Sequence, residues 1–154
     1  MREALRLIKK YEGLGDGDKL APGLQPYICP AGVWTIGFGS IYGLDRKRVT
    51  ASTQAISEGQ AELLVLRDMQ HAERAVRRLV KVPINQNQVA SLTSFTFNLG
   101  AGALKSSTLL RRVNQFEWDD VPRQFQRWVF AGGRKLPGLV KRRREEALVW
   151  EKGV

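Results

Sequence analysis

Between Ser57 and Val80 the chain carries an uninterrupted apolar stripe at helical spacing: Leu63, Leu66, Met69, Ala72 or Glu73, Val76, and Leu79 or Val80. Ser57 followed three residues later by Gln60 is a capping-box start, and Pro83 bars further helix. At 1.5 Å per residue such a helix runs roughly 35 Å, long enough to cross a small domain. This stripe constrains the fold more than any other feature. It predicts a small N-terminal lobe over about 12–56 and a helical C-terminal lobe over about 57–154, to which a first helix over 1–11 is added. With 154 residues, 43% of them hydrophobic, both lobes fit one mainly α domain with a real core.

The C-terminal half reads as helices. Asn85 with Gln88 repeats the capping pattern, and Val89, Leu92, Phe95, Thr96 and Leu99 make a nearly all-round apolar helix that Gly100 stops. Ala101-Gly102-Ala103 is expected as a turn, after which Ser106 or Ser107 caps a short helix through Asn114. A further helix is expected from about Glu117 to Phe130, with Asp119, Asp120 and Pro122 in its first turn and Trp118, Val121, Phe125, Trp128 and Val129 inward. Ala131 to Lys135 reads as a basic glycine loop, and Pro137 opens a last helix bearing Leu139, Val140, Ala147, Leu148 and Trp150. The cations Lys141 to Arg144 point around that helix at about 100° each, so at least one faces inward. Arg142 or Arg143 takes that role, with Glu12 as a candidate partner; a solvated basic face is the alternative.

The N-terminal lobe holds the chemistry. Ala4, Leu5, Ile8 and Tyr11 form an apolar stripe on a charged helix that Gly13 ends, leaving Glu12 at the C-terminal end. Exposed carbonyls there disfavour a carboxylate, which suits a general acid; a solvated Glu at a frayed end is the bland alternative. Pro30-Ala31-Gly32 suits a tight turn, Val33-Trp34-Thr35-Ile36 are strand formers, and Gly37-Phe38-Gly39 allows close approach of neighbouring chain. A hairpin packed on the first helix brings Cys29 and Thr35 back towards Glu12.

Composition narrows the partners. The net charge of +10 implies an anionic polymer or surface, either nucleic acid or a bacterial envelope. A nucleic-acid binder calls for stacking aromatics beside a clustered basic face, whereas the aromatics here fall on apolar helical stripes, so no nucleic-acid partner is expected. One Cys excludes an intrachain disulfide, and with His71 as the sole His no Cys/His zinc site can form; no metal or cofactor is expected. No apolar run nears the roughly 20 residues that span a membrane, and Met1-Arg2-Glu3-Ala4 opens no signal-peptide pattern. The expectation is a monomer that accumulates in the cytoplasm.

These residues carry a resemblance. Tyr11-Glu12-Gly13-Leu14, Tyr27 and Gly32-Val33-Trp34-Thr35-Ile36-Gly37-Phe38-Gly39 resemble the active-site segment of the phage-type lysozymes, glycoside hydrolase family 24. Val82 to Gln88, Phe97-Asn98-Leu99-Gly100, Ser107 to Arg111 and Arg142-Arg143-Arg144-Glu145 resemble the same family in the same order. The resemblance implies a lysozyme-like fold with a cleft between lobes, and an endolysin that hydrolyses the β-1,4 bond between N-acetylmuramic acid and N-acetylglucosamine in peptidoglycan. It implies Glu12, Cys29 and Thr35 as the catalytic residues, with Cys where many members have Asp and Thr six positions later. Asn98, Ser107, Thr108 and Arg142 are then the expected substrate contacts. The resemblance also implies a holin that lets the enzyme out to the anionic envelope.

The chain departs from the family pattern twice. Sixteen residues separate Glu12 from Cys29, with Gly15 to Pro22 reading as an inserted loop whose Asp16 and Asp18 are spare candidate carboxylates. Ser40 stands where the family's glycine motif ends in His. A lytic transglycosylase, which needs one Glu and no water nucleophile, is the nearest competing activity.

Overall fold

The computed structural model describes residues 1–152. The chain divides into two compact units, one of Glu12–Asp68 and one of Met1–Tyr11 together with the chain from Met69 onward. The long helix α2, Glu58–Leu79, contributes to both. Its start is the capping box read from the sequence: the Gln60 amide donates to Ser57 Oγ at 3.1 Å and the Ser57 amide to Gln60 Oε1 at 2.9 Å. Its buried face is Ala61, Leu64, Val65, Met69, Ala72, Ala75 and Val76, while Leu63 is exposed. The expected stripe therefore holds from Met69 to Val76, but in the first turns Ala61, Leu64 and Val65 are buried in place of Leu63 and Leu66.

Glu12–Asp68 is built from turns and very short strands. Strands β1, Tyr27–Ile28, and β2, Trp34–Thr35, pair antiparallel with Tyr27 opposite Thr35 and Ile28 opposite Trp34. Single bridges at Gly15–Gly37, Leu24–Ile56, Ile36–Ser40 and Tyr42–Arg48 extend this pairing. Ile36, Phe38, Val49, Ile56, Leu64 and Val65 are its buried apolar side chains. Gly37 is required here twice over: its φ is +65°, and a Cβ would stand 3.0 Å from that of Ala61.

The other unit is helical. In α1, Arg2–Glu12, the fully buried residues are Ala4, Leu7 and Ile8; Leu7, not Leu5, completes the i, i+3, i+4 face. Helix α3, Gln86–Leu99, carries the predicted Asn85–Gln88 capping box and is buried from Gln88 to Thr96. Its neighbours are α4, Ala101–Ser106, α5, Thr108–Asn114, α6, Val121–Phe125, and α7, Pro137–Glu151. Val76, Val89, Leu92, Phe95, Leu104, Leu109, Phe125 and Trp150 form the core, with Phe95 meeting Phe125 edge-on at 5.8 Å.

Two expectations fail in this unit. Ala101 to Ala103 is no turn but the start of α4, because Gly100, at φ +93°, makes the whole reversal by itself and Leu104 needs a helix to reach the core. Glu117–Phe130 is not one helix: a 3-10 turn over Trp118–Asp120 leads into α6, which stops at Phe125, and Phe130 starts a strand. That strand, β3, Phe130–Ala131, pairs with β4, Arg134–Lys135, so the basic glycine loop is a hairpin whose tip is left-handed Gly132 and Gly133. Among the described residues no helix is long and apolar enough to cross a membrane.

Candidate active site

Glu12 ends α1, and Gly13 follows at φ +70°, a left-handed residue that turns the chain out of the helix. The Glu12 carboxylate lies against Gly39: a Cβ there would come 3.3 Å from Glu12 Oε2, and the backbone at Gly39 has φ +101°. Sequence and backbone agree in keeping that position bare.

Cys29 sits where β1 enters the turn. Its carbonyl accepts from the Gly32 amide at 2.8 Å and its amide donates to the Val33 carbonyl at 3.0 Å, closing a tight turn over Pro30 and Ala31 with Gly32 at φ +80°. This turn aims amides at the sulfur. The Val33 amide above all, then the Ala31 amide and the Thr35 hydroxyl, hold the half-buried Cys29 thiol below its ordinary pKa, against a smaller opposing effect of burial. Thr35, buried in β2, donates its hydroxyl to the Val33 carbonyl at 2.8 Å and faces the Cys29 sulfur as well.

Tyr27 joins these groups. Its hydroxyl donates to the Gly37 carbonyl at 3.0 Å, and it pairs across the hairpin with Thr35. Burial first, then the nearby charges of Glu12 and Cys29, push its phenol above the usual value. Glu12, Cys29 and Thr35 thus share one unit with Tyr27, which pairs with Thr35 and whose phenol feels the charges of the other two.

The inserted loop folds onto β1 rather than into the site. Asp16 Oδ1 accepts from the amides of Asp18 at 3.1 Å and Gln25 at 3.0 Å, and Asp18 Oδ1 accepts from the Leu20 amide at 3.0 Å. Both spare carboxylates serve as turn acceptors. Leu20, at the tip, is 98% exposed. Ser40, in the place of the family's His, is buried and donates to Asp68 Oδ2 at 2.7 Å.

The remaining candidates lie in the helical unit. Both Arg142 and Arg143 face inward, with exposures of 3% and 0%. Arg142 donates to Glu146 Oε2 at 3.3 Å and to the Ser94 carbonyl at 3.2 Å, and its guanidinium lies 5.7 Å from the centre of the Tyr11 ring. Arg143 bonds Glu146, the Trp128 carbonyl at 3.0 Å and Asn98 Oδ1. Burial raises the Glu146 carboxyl while the two guanidiniums pull it down. Ser107 is the N-cap of α5, accepting from the Leu110 amide at 3.0 Å and donating to the Leu104 carbonyl at 2.7 Å. Asn98 and Thr108 keep part of their surface open, whereas Ser107 and Arg142 are buried. Glu146 and Ser94 were not picked out from sequence, although Glu146 at i+4 and i+3 from two arginines is a spacing that signals a pair.

Comparison with known proteins bears on this arrangement. The phage lysozyme family matches residues 10–146. The chain belongs to that family. It is 35% identical to the endolysin of Acyrthosiphon pisum secondary endosymbiont phage 1 over 97% of this chain and 95% of that one. It is 38% identical to the endolysin of Bacillus phage B103, again over 97% of its own length, but spans only about half, 52%, of that longer relative. Among solved structures, an endolysin from Escherichia coli O157:H7 phage FAHEc1 superposes with a TM-score of 0.83 at 34% identity, covering 100% of this chain and 94% of the other. The muramidase domain of SpmX from Asticaccaulis excentricus gives a TM-score of 0.75 at 31% identity, covering 97% and 95%. The fold is the mainly helical one of the phage lysozymes, with the small hairpins already described.

Proposed function

We propose that this phage lysozyme is a muramidase that hydrolyses the β-1,4 bond between N-acetylmuramic acid and N-acetylglucosamine in peptidoglycan. Family membership supports a cell-wall-lytic enzyme; the finer reading rests on Glu12, Cys29 and Thr35 sharing one unit with Tyr27. Glu12 gives its proton to the leaving glycosidic oxygen as the bond to the anomeric carbon breaks. Cys29 and Thr35 hold a water that attacks that carbon from the opposite face, an inverting outcome. One proton of that water passes to the Cys29 thiolate or to bulk solvent and the other stays on the new hydroxyl; the thiol then gives its proton to solvent, and solvent reprotonates Glu12. The Thr35 hydroxyl proton is shared between the Val33 carbonyl and the Cys29 sulfur, and the oxygen keeps lone pairs for the water.

Asn98 and Thr108, each half-buried, offer their open polar surface to the sugars, and Ser107 and Arg142 fix the backbone that carries them. The enzyme acts as a monomer on an anionic envelope to which its +10 charge steers it. It is made in the host cytoplasm, and a holin opens the route to the wall. The Cys at the position where many relatives have Asp favours one competing activity, the lytic transglycosylase. Mass spectrometry of digested peptidoglycan separates the two. Reducing-end N-acetylmuramic acid is expected, and 1,6-anhydro products would overturn hydrolysis.

A further inference from the structure

One hydrogen bond and one notch hold Tyr27. The Gly37 carbonyl accepts both the Tyr27 hydroxyl and the Gly15 amide, each at 3.0 Å, so one oxygen ties the chain just after Glu12 to the strand that leads to Cys29. The Tyr27 ring occupies the space that a side chain at Gly15 would need: a Cβ there would fall 2.3 Å from Cε1 and Cζ and 2.8 Å from the hydroxyl oxygen. The next turn is sealed in the same way. The Gly17 amide donates to the Gln25 carbonyl at 3.2 Å, and a Cβ on Gly17 would lie 2.0 Å from the Pro26 oxygen. The two glycines let the loop lie flat on the backbone of residues 25–27.

We propose that Tyr27 is a positioning residue, which sets the Glu12 carboxylate relative to Cys29 and Thr35 by clamping Gly15 and Gly37 to β1. The inference rests on the hydrolytic reading above. Glu12 hangs from a helix end and Cys29 from a four-residue turn, and neither element alone fixes the distance between them. Tyr27 touches the segment that follows the first and leads into the second. Its cross-strand partner is Thr35, so the same ring also sets the strand bearing the hydroxyl. Catalysis by an acid and a held water is sensitive to misplacement of either by an ångström or less.

Tyr27→Phe keeps the ring in its notch and removes only the bond to Gly37. Its kcat on peptidoglycan should fall about tenfold, the kinetic equivalent of one ordinary hydrogen bond, with KM within about twofold of the parent. Gly15→Ala, which displaces the ring, should lower kcat further, by about a hundredfold. Both variants should also change the rate at which iodoacetamide alkylates Cys29 as a function of pH, because the turn that stabilises the thiolate moves with β1. Ser40→Ala loses a comparable buried bond in the same unit and should keep kcat. Parental kcat in Tyr27→Phe, or an equal fall in kcat for Ser40→Ala, would overturn the positioning role. Full activity in Glu12→Gln would instead overturn the hydrolytic reading itself, so the two failures are distinguishable.

Discussion

The buried hydroxyl of Ser40 donates to Oδ2 of Asp68 at 2.7 Å, while Asp68 Oδ1 pairs with Arg67 at 3.1 Å. Arg67 in turn donates to the carbonyls of Gly43 and Tyr42, both at 2.8 Å. A neutral hydroxyl thus serves the aspartate here. Ser40→Ala should cost about 1 kcal/mol of stability. Urea denaturation should show the loss as a lower midpoint with an unchanged slope.

Glu12→Gln should fold like the parent and lose about 10²- to 10⁴-fold in kcat, because the amide keeps the shape of the acid without its proton. Turbidity clearance of purified cell walls, normalised to folded enzyme, measures it. Retention of more than about a tenth of the activity would remove Glu12 from its role.

The Cys29 thiol ionises below the range of an ordinary thiol, chiefly through the Val33 amide. A reaction that uses the thiolate therefore gains rate as pH rises through that lowered value, placing the acidic limb of the pH profile below the usual thiol region. Cys29→Asp should stay active and move the limb down to about pH 4, the carboxylate range. Cys29→Ala should lose most of the activity and the limb with it. An identical profile in all three proteins would reduce Cys29 to packing.

Arg143→Ala should destabilise the helical unit by about 3–5 kcal/mol, since it strips a partner from the fully buried Glu146. Lys10→Ala, at the exposed Lys10–Glu145 pair, should leave stability almost unchanged. Calorimetry of both variants compares a desolvated ion pair with a screened one. Equal effects would mean that Glu146 finds replacement partners.

Clearance of whole cell wall should weaken steeply with added salt, whereas turnover of a small uncharged oligosaccharide should not. Charge steering by a +10 protein is screened beyond about 8 Å at physiological ionic strength. Equal salt dependence on the two substrates would locate the effect at the bond-breaking step.

Much of the fold is local and so is legible. The capping boxes at Ser57 and Asn85, the stop at Gly100 and the turn at Pro30 to Gly32 are written in adjacent residues, and each forms as read. What stayed hidden depends on distant partners. Phe125 ends α6 although Trp128 and Val129 continue its apolar period, because the chain turns at Gln126 to place Trp128 edge-on against Phe95, 5.5 Å between ring centres. Arg143 reads as surface charge until Glu146, Asn98 and the Trp128 carbonyl are seen around it. The candidate set of Glu12, Cys29 and Thr35 follows from the family resemblance, whereas the notch that seats Tyr27 is not legible, since it is made by the missing side chain of Gly15.

The neck of the inserted loop is closed by the bonds from Gly17 and Gln25, while Lys19 and Leu20 at its tip are exposed. Lengthening a loop beyond a closed neck costs little chain entropy. A short epitope or a dye-bearing peptide spliced in after Leu20 should therefore leave the neck in place, and trypsin cutting after Lys19 should yield two fragments that stay associated. The loop thus offers a handle for following single enzymes on a wall.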